Sequence, residues 1–186
     1  PSGRAIERWY NEKGEIVRRD DNGKTAYKVA TANAGREKTT KDAQGRETTS
    51  RYDELGRLAE QVRPDGSKET YAYDAQNQLI RKVTPSPWTG EGAGGGVTTE
   101  YQYTGGQLTR MTEAAGTADE RVTQYEYDAA GNPTHVIASP QGAAITTSME
   151  YDPITGFLTA QVDAEGHRAE YEHDLAGNVT KKTVII

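Results

Sequence analysis

The chain has 186 residues, 33 % apolar and 27 % charged, with 22 Lys and Arg against 28 Asp and Glu for a net charge of −6. At a mean hydropathy of −0.88 it can fold only if a pattern concentrates its few apolar groups, since too little surface is otherwise buried to offset chain entropy. Scattered charges with no basic stripe argue against a nucleic-acid partner; the lack of cysteine excludes disulfides, thiolate catalysis and cysteine-bound metal; and no apolar run approaches the roughly 18 residues of a membrane span.

The N-terminal stretch PSGRAIERWY holds no apolar signal segment and no initiator Met, so the chain is expected to be a piece excised from a longer one. Gly14 is the first of a series of markers. Gly35, Gly56 and Asn77 follow at steps of 21 residues, then Gly106, Gly131, Gly156 and Gly177 at steps of 29, 25, 25 and 21. Asn tolerates a positive φ better than other residues with a side chain, so its use at a marker predicts a left-handed turn at all of them.

Around the markers one phrase recurs. It is worn at Gly35 and Gly45, where TANAGRE and KDAQGRE lack Tyr and Leu, and the repeat is degenerate over 31–50. It is complete in RYDELGRL, with Tyr52, Asp53, Gly56, Arg57 and Leu58, and in AYDAQNQL, with Tyr73, Asp74, Asn77 and Leu79. An insertion, PSPWTGEGAGGG at 85–96, reads as a loop tip in which Trp88 folds back onto the sheet. Tyr103, Gly106 and Leu108 resume the phrase. It continues as EYDAAGNP (Tyr127, Asp128, Gly131), EYDPITGFL (Tyr151, Asp152, Gly156, Leu158) and EHDLAGNV (Asp174, Gly177).

A second turn signal lies between markers, in DDNGK, DAQGR, RPDGS, SPQGA and DAEGH. The chain therefore reverses about every ten residues, and the stretches between reversals alternate, as in Glu69, Tyr71 and Tyr73. Period two with aromatic and β-branched residues predicts strands. The fold class is all-β, about eight tandem antiparallel hairpins of roughly 21 residues in a single segment spanning 1–186.

Ten of the 11 tyrosines sit in or just before the phrase. Their rings are expected to stack across strands over a thin, half-wet core. The Asp of each phrase is expected to accept from its own turn.

No active site emerges. His135, His167 and His173 lie in different repeats without metal-ligand spacing, and His173 stands in for a motif tyrosine. No serine sits in G-x-S-x-G. GEGAGGG opens no helix and so makes no phosphate cradle. Asp119 and Glu120 read as part of a solvated face. Catalytic, cofactor and metal sites are all read as none, and the chain as not an enzyme.

The phrases YDELGRL, YDAQNQL, YDAAGNP and YDPITGFL, in units of about 21 residues, resemble the YD repeats of Rhs proteins. Similar repeats occur in toxin-complex C subunits, wall-associated toxins and teneurins. The resemblance implies a curved, spiralling sheet that forms part of a hollow shell. It further implies a non-catalytic role enclosing a C-terminal toxin domain for delivery. The partners would be the remainder of the shell, the toxin and the secretion machinery, and the location secreted or cell-surface. Eight hairpins at about 4.8 Å per strand would make a strip on the order of 75 Å long, whose ends need further strands as neighbours. An adhesion or glycan-binding module is the alternative. Asp152-Pro153 resembles the self-cleavage motif that closes some such shells, but it occupies repeat positions and reads as a turn variant.

Overall fold

The computed structural model describes residues 5–86, 96–140 and 144–186. Trp88 and nearly all of the 85–96 insertion, with the tip of the SPQGA turn, lie outside them. The described residues form sixteen strands and one short 3-10 turn, Asn33–Gly35. No helix among them is long and apolar enough to cross a membrane.

In chain order the strands are β1 (Ile6–Tyr10), β2 (Ile16–Asp21), β3 (Lys24–Ala32), β4 (Glu37–Asp42), β5 (Glu47–Tyr52), β6 (Leu58–Val62), β7 (Lys68–Tyr73) and β8 (Leu79–Pro85). They continue as β9 (Gly96–Thr104), β10 (Gln107–Glu113), β11 (Arg121–Tyr127), β12 (Pro133–Pro140), β13 (Ile145–Tyr151), β14 (Leu158–Val162), β15 (Arg168–His173) and β16 (Val179–Ile185).

Two compact units result, one of Pro1–Asp74 with Lys82–Val97, the other of Ala75–Arg81 with Thr98–Ile186. In the first, β1 to β7 pair antiparallel in chain order. In the second, β9 to β16 do the same. Order follows sequence because a reversal every ten residues lets each strand pair only with the one just laid down.

The eight markers all have positive φ, from 67° at Asn77 to 93° at Gly131. The turns between them use the same conformation, with φ of 80° at Gly45, 81° at Gly66 and 88° at Gly166. Beyond Gly14, Gly56, Gly106, Gly131, Gly156 and Gly177 the outgoing strand carries a β-bulge, whereas beyond Gly35, in the degenerate repeat, the register runs unbroken. Tyr52 faces Leu58 but Arg51 faces Glu60, leaving Ala59 as the extra residue. Thr109, Thr134, Thr159 and Thr180 occupy the same place in later hairpins. A bulge adds local twist and bends its strand, so a bend recurs at one position of the repeat.

Burial is shallow. Ala160 is the buried apolar residue among those described, joined by the polar Asp20, Glu69 and Thr112. The motif tyrosines Tyr52, Tyr73, Tyr103, Tyr127 and Tyr151 are all half-buried.

Candidate functional site

The repeated phrase is the natural place to look for a site, because it holds most of the distinctive side chains. Asp53 opens its turn: its Oδ1 accepts the N–H groups of Leu55 and Arg57, each at 2.9 Å. Its Oδ2 accepts from Arg57 Nε at 2.7 Å. Gly56 N–H returns to the Asp53 carbonyl at 3.1 Å, closing a type I turn whose next residue is left-handed.

The same five-residue clasp recurs with other closing side chains. Arg46 closes on Asp42, Asn132 on Asp128 and Asn178 on Asp174, at 2.7, 2.9 and 2.9 Å. Turns from both series, DAQGR between markers and YDELGR at one, thus share one geometry. The Arg57 backbone N–H, with its guanidinium, holds the Asp53 carboxyl below its ordinary value. The side chains of Asn132 and Asn178 do the same for Asp128 and Asp174. In the ITG variant the clasp is one residue longer. Thr155 N–H and Oγ1 both donate to Asp152 Oδ1, at 2.7 and 2.9 Å.

Tyrosines join one hairpin to the last. Tyr73 donates its hydroxyl to the Leu58 carbonyl at 3.0 Å, Tyr103 to Leu79 at 3.0 Å and Tyr127 to Leu108 at 2.8 Å. Leu58 and Leu108 immediately precede bulges, where ladder pairing is interrupted and a carbonyl can take an outside donor. The expected ladder of stacked rings is replaced by these joints. Tyrosines of successive phrases sit two strands apart, about 10 Å, too far to stack. The Arg57 guanidinium lies instead over the Tyr73 ring, 4.7 Å from its centroid, and donates to the Asp74 carbonyl at 3.1 Å.

Where tyrosine is replaced or its target changes, the joint changes too. His173 cannot supply a phenol and packs against Phe157, ring centroids 5.2 Å apart. The Tyr151 hydroxyl, whose preceding phrase ends in Pro133, lies 3.7 Å from Met149 Sδ. At the bulges Thr109, Thr159 and Thr180 donate to the facing carbonyls of Gln102, Glu150 and Glu172, at 3.2, 3.1 and 3.1 Å. Neither tyrosine joint nor threonine bond is legible from alternation, which assigns a face but no partner.

Charged groups also pair in order. On one face of the first unit Arg51 bridges Glu37 and Glu60, and Glu60 takes Lys68 at 2.7 Å. On the other, Glu69 is buried at 6 % exposure and accepts from Arg63 and from the Tyr71 hydroxyl, both at 2.5 Å. Burial and that bond push the Tyr71 phenol up to about 12. In the second unit Arg168 grips Glu150 through two 2.7 Å bonds.

The three histidines stay apart from one another in role. His135 Nδ1 lies 3.1 Å from Glu126. His167 closes a clasp on Asp163 at 3.1 Å, with the place Arg57 has in its own turn. Asp163, Glu165 and His167 put ligand-type atoms within 4.8 Å of one another, as that turn geometry requires.

Comparison with known proteins follows the same repeat. The RHS repeat family model matches residues 33–68, 52–86 and 117–144. Over 105 residues, 47 % of the chain, it is 31 % identical to the tRNA nuclease WapA of Bacillus subtilis strain 168. It is 32 % identical over an equal length to the tRNA(Glu)-specific nuclease WapA of Bacillus subtilis subsp. natto. The match spans 4 % of each relative's length. Among solved structures, the Photorhabdus luminescens Tc holotoxin pore aligns with 97 % of the chain and 14 % of its own, at 15 % identity and a TM-score of 0.37.

Proposed function

Starting from a chain that belongs to the YD/Rhs-repeat family, we propose that it is a non-catalytic length of repeat wall. Its work is to enclose a C-terminal toxin domain during export to the cell surface or beyond. Its partners are further repeats of the same shell, the enclosed polypeptide and the secretion machinery. The Tyr, Asp, Gly, Arg and Leu residues of the repeated phrase act as the joints of that wall.

One observation carries the reading. The polar atoms of the repeated phrase are committed to holding hairpins in place: Asp53 to its own turn, Arg57 to Asp53 and the next hairpin, Tyr73 and Tyr127 to preceding carbonyls. Chemistry needs a nucleophile, base or ligand set that is free to meet a substrate, and these residues are engaged. An aromatic binding platform would need exposed rings, whereas Tyr73, Tyr103 and Tyr127 are half-buried with their hydroxyls bonded to backbone. The nuclease activity in the relatives' names belongs to proteins of which this chain matches a small fraction.

The purified chain incubated with tRNA should give no cleavage above background. Cleavage that follows the chain through purification and disappears on substituting His135, His167 or His173 would overturn the reading.

A further inference from the structure

In the second unit a groove of about 420 Å³ opens on the sheet face opposite the motif tyrosines. Glu100 and Gln102 of β9 and Arg110 and Thr112 of β10 form its floor, with Arg81 at one side. The connection between β10 and β11 forms a wall. Ala115 N–H donates to the Thr98 carbonyl at 2.9 Å, and Gly116 N–H donates to Glu120 Oε2 at 2.9 Å. Both bonds tie the wall down.

The arginines of this groove differ from most others in the chain. Arg18, Arg51, Arg57, Arg63 and Arg168 each have a carboxylate within 4 Å. Among the described residues Arg81 and Arg110 have none, as is also true of Arg8 and Arg121, but Arg81 and Arg110 share one groove. Their contacts are to threonine hydroxyls, Arg81 Nη2 to Thr98 and Arg110 Nε to Thr112, both at 3.4 Å and at the long limit of a hydrogen bond. Glu100 likewise has no cation within 4 Å among the described residues, and Glu120 is held by a neutral N–H. Two guanidinium forks and two carboxylates therefore share one open groove without pairing.

We propose that this groove is a binding site for a short zwitterionic peptide or α-amino acid. Its carboxylate is taken by the forks of Arg81 and Arg110, whose planar donors match a carboxylate. Its ammonium group sits between Glu100 and Glu120. A simple anion such as phosphate would gain from the arginines but meet both glutamates, so both ends of the ligand are required. No ring lines the groove, so a sugar or base finds nothing to stack on. The site is independent of the wall reading, since none of its residues belongs to the turn clasps or tyrosine joints.

The test is a titration of the ¹⁵N-labelled chain with trialanine, followed at the Gly116 amide and the arginine Nε signals. Saturable shifts are expected at both. N-acetyl-trialanine and trialanine amide should each bind at least tenfold more weakly, and so should trialanine to the Arg81→Gln and Glu100→Gln variants, both changed at exposed positions. Inorganic phosphate should not compete. Absence of saturable shifts, equal binding of either blocked peptide, or displacement by phosphate would overturn the proposal.

Discussion

Replacing Tyr127 by Phe removes one oxygen and leaves the ring in place. The hydroxyl donates at 2.8 Å to the Leu108 carbonyl, and the bond is part-buried. A hydrogen bond of this kind contributes about 0.5–1.5 kcal/mol net. The Leu108 carbonyl lies at a bulge, and water can replace part of what is lost. The expected cost is about 1 kcal/mol, and for a chain of this length that lowers the melting temperature by about 2–4 °C. Tyr27→Phe is the control. It makes the same chemical change in β3, outside the phrase, where the hydroxyl has no partner among the described residues, and it should move stability by less than about 0.5 kcal/mol. Thermal melts followed by circular dichroism at the strand minimum compare the two. Equal shifts for Tyr127→Phe and Tyr27→Phe, or none for either, would refute the tyrosine joint.

At Asn77, with φ 67°, valine should be less stable than glycine by about 1–2 kcal/mol, the steric cost of the left-handed region; urea midpoints of the two variants decide it. The clasp carboxylates of Asp42, Asp53, Asp128 and Asp174 are held below their ordinary 3.8. Their stabilisation is therefore complete above that value and lost as the pH falls through the depressed ones, and urea midpoints should be level from pH 7 to about 5 and drop below pH 4. In an absorbance titration of the phenols one group, Tyr71, should ionise near 12, and Glu69→Gln should bring it down, because a neutral amide no longer opposes the phenolate.

The parts of this fold that repeat are legible in the sequence. Asn77 standing where seven glycines stand identified the left-handed marker, and the reversal every ten residues left room only for strands. The shared clasp was half-visible: the carboxylate of Asp53 could be assigned to its turn, but Arg57, Asn132 and His167 look unrelated in sequence and become equivalent only when each closes on the Asp four residues before it. Alternation predicts stacked rings where the structure has tyrosine joints, because it fixes a side chain's face and says nothing about the distance to the next ring. The bulges at Ala59, Thr109 and Thr159 are not legible in the sequence, because one extra residue in a strand leaves no compositional mark. Arg81 and Arg110 are also invisible as a pair, since they lie 29 positions apart and share a groove only through strand pairing.

The proposed role, that the repeats wall off a polypeptide, is tested most directly by protease protection in any longer protein found to carry them. Increasing proteinase K is added to such a protein and to a version lacking residues 5–186, and the survival of any domain that follows the repeats in it is read by mass spectrometry. The wall account predicts a fragment that survives in the first and is digested in the second at protease levels at least tenfold lower. Equal digestion of the two would contradict it.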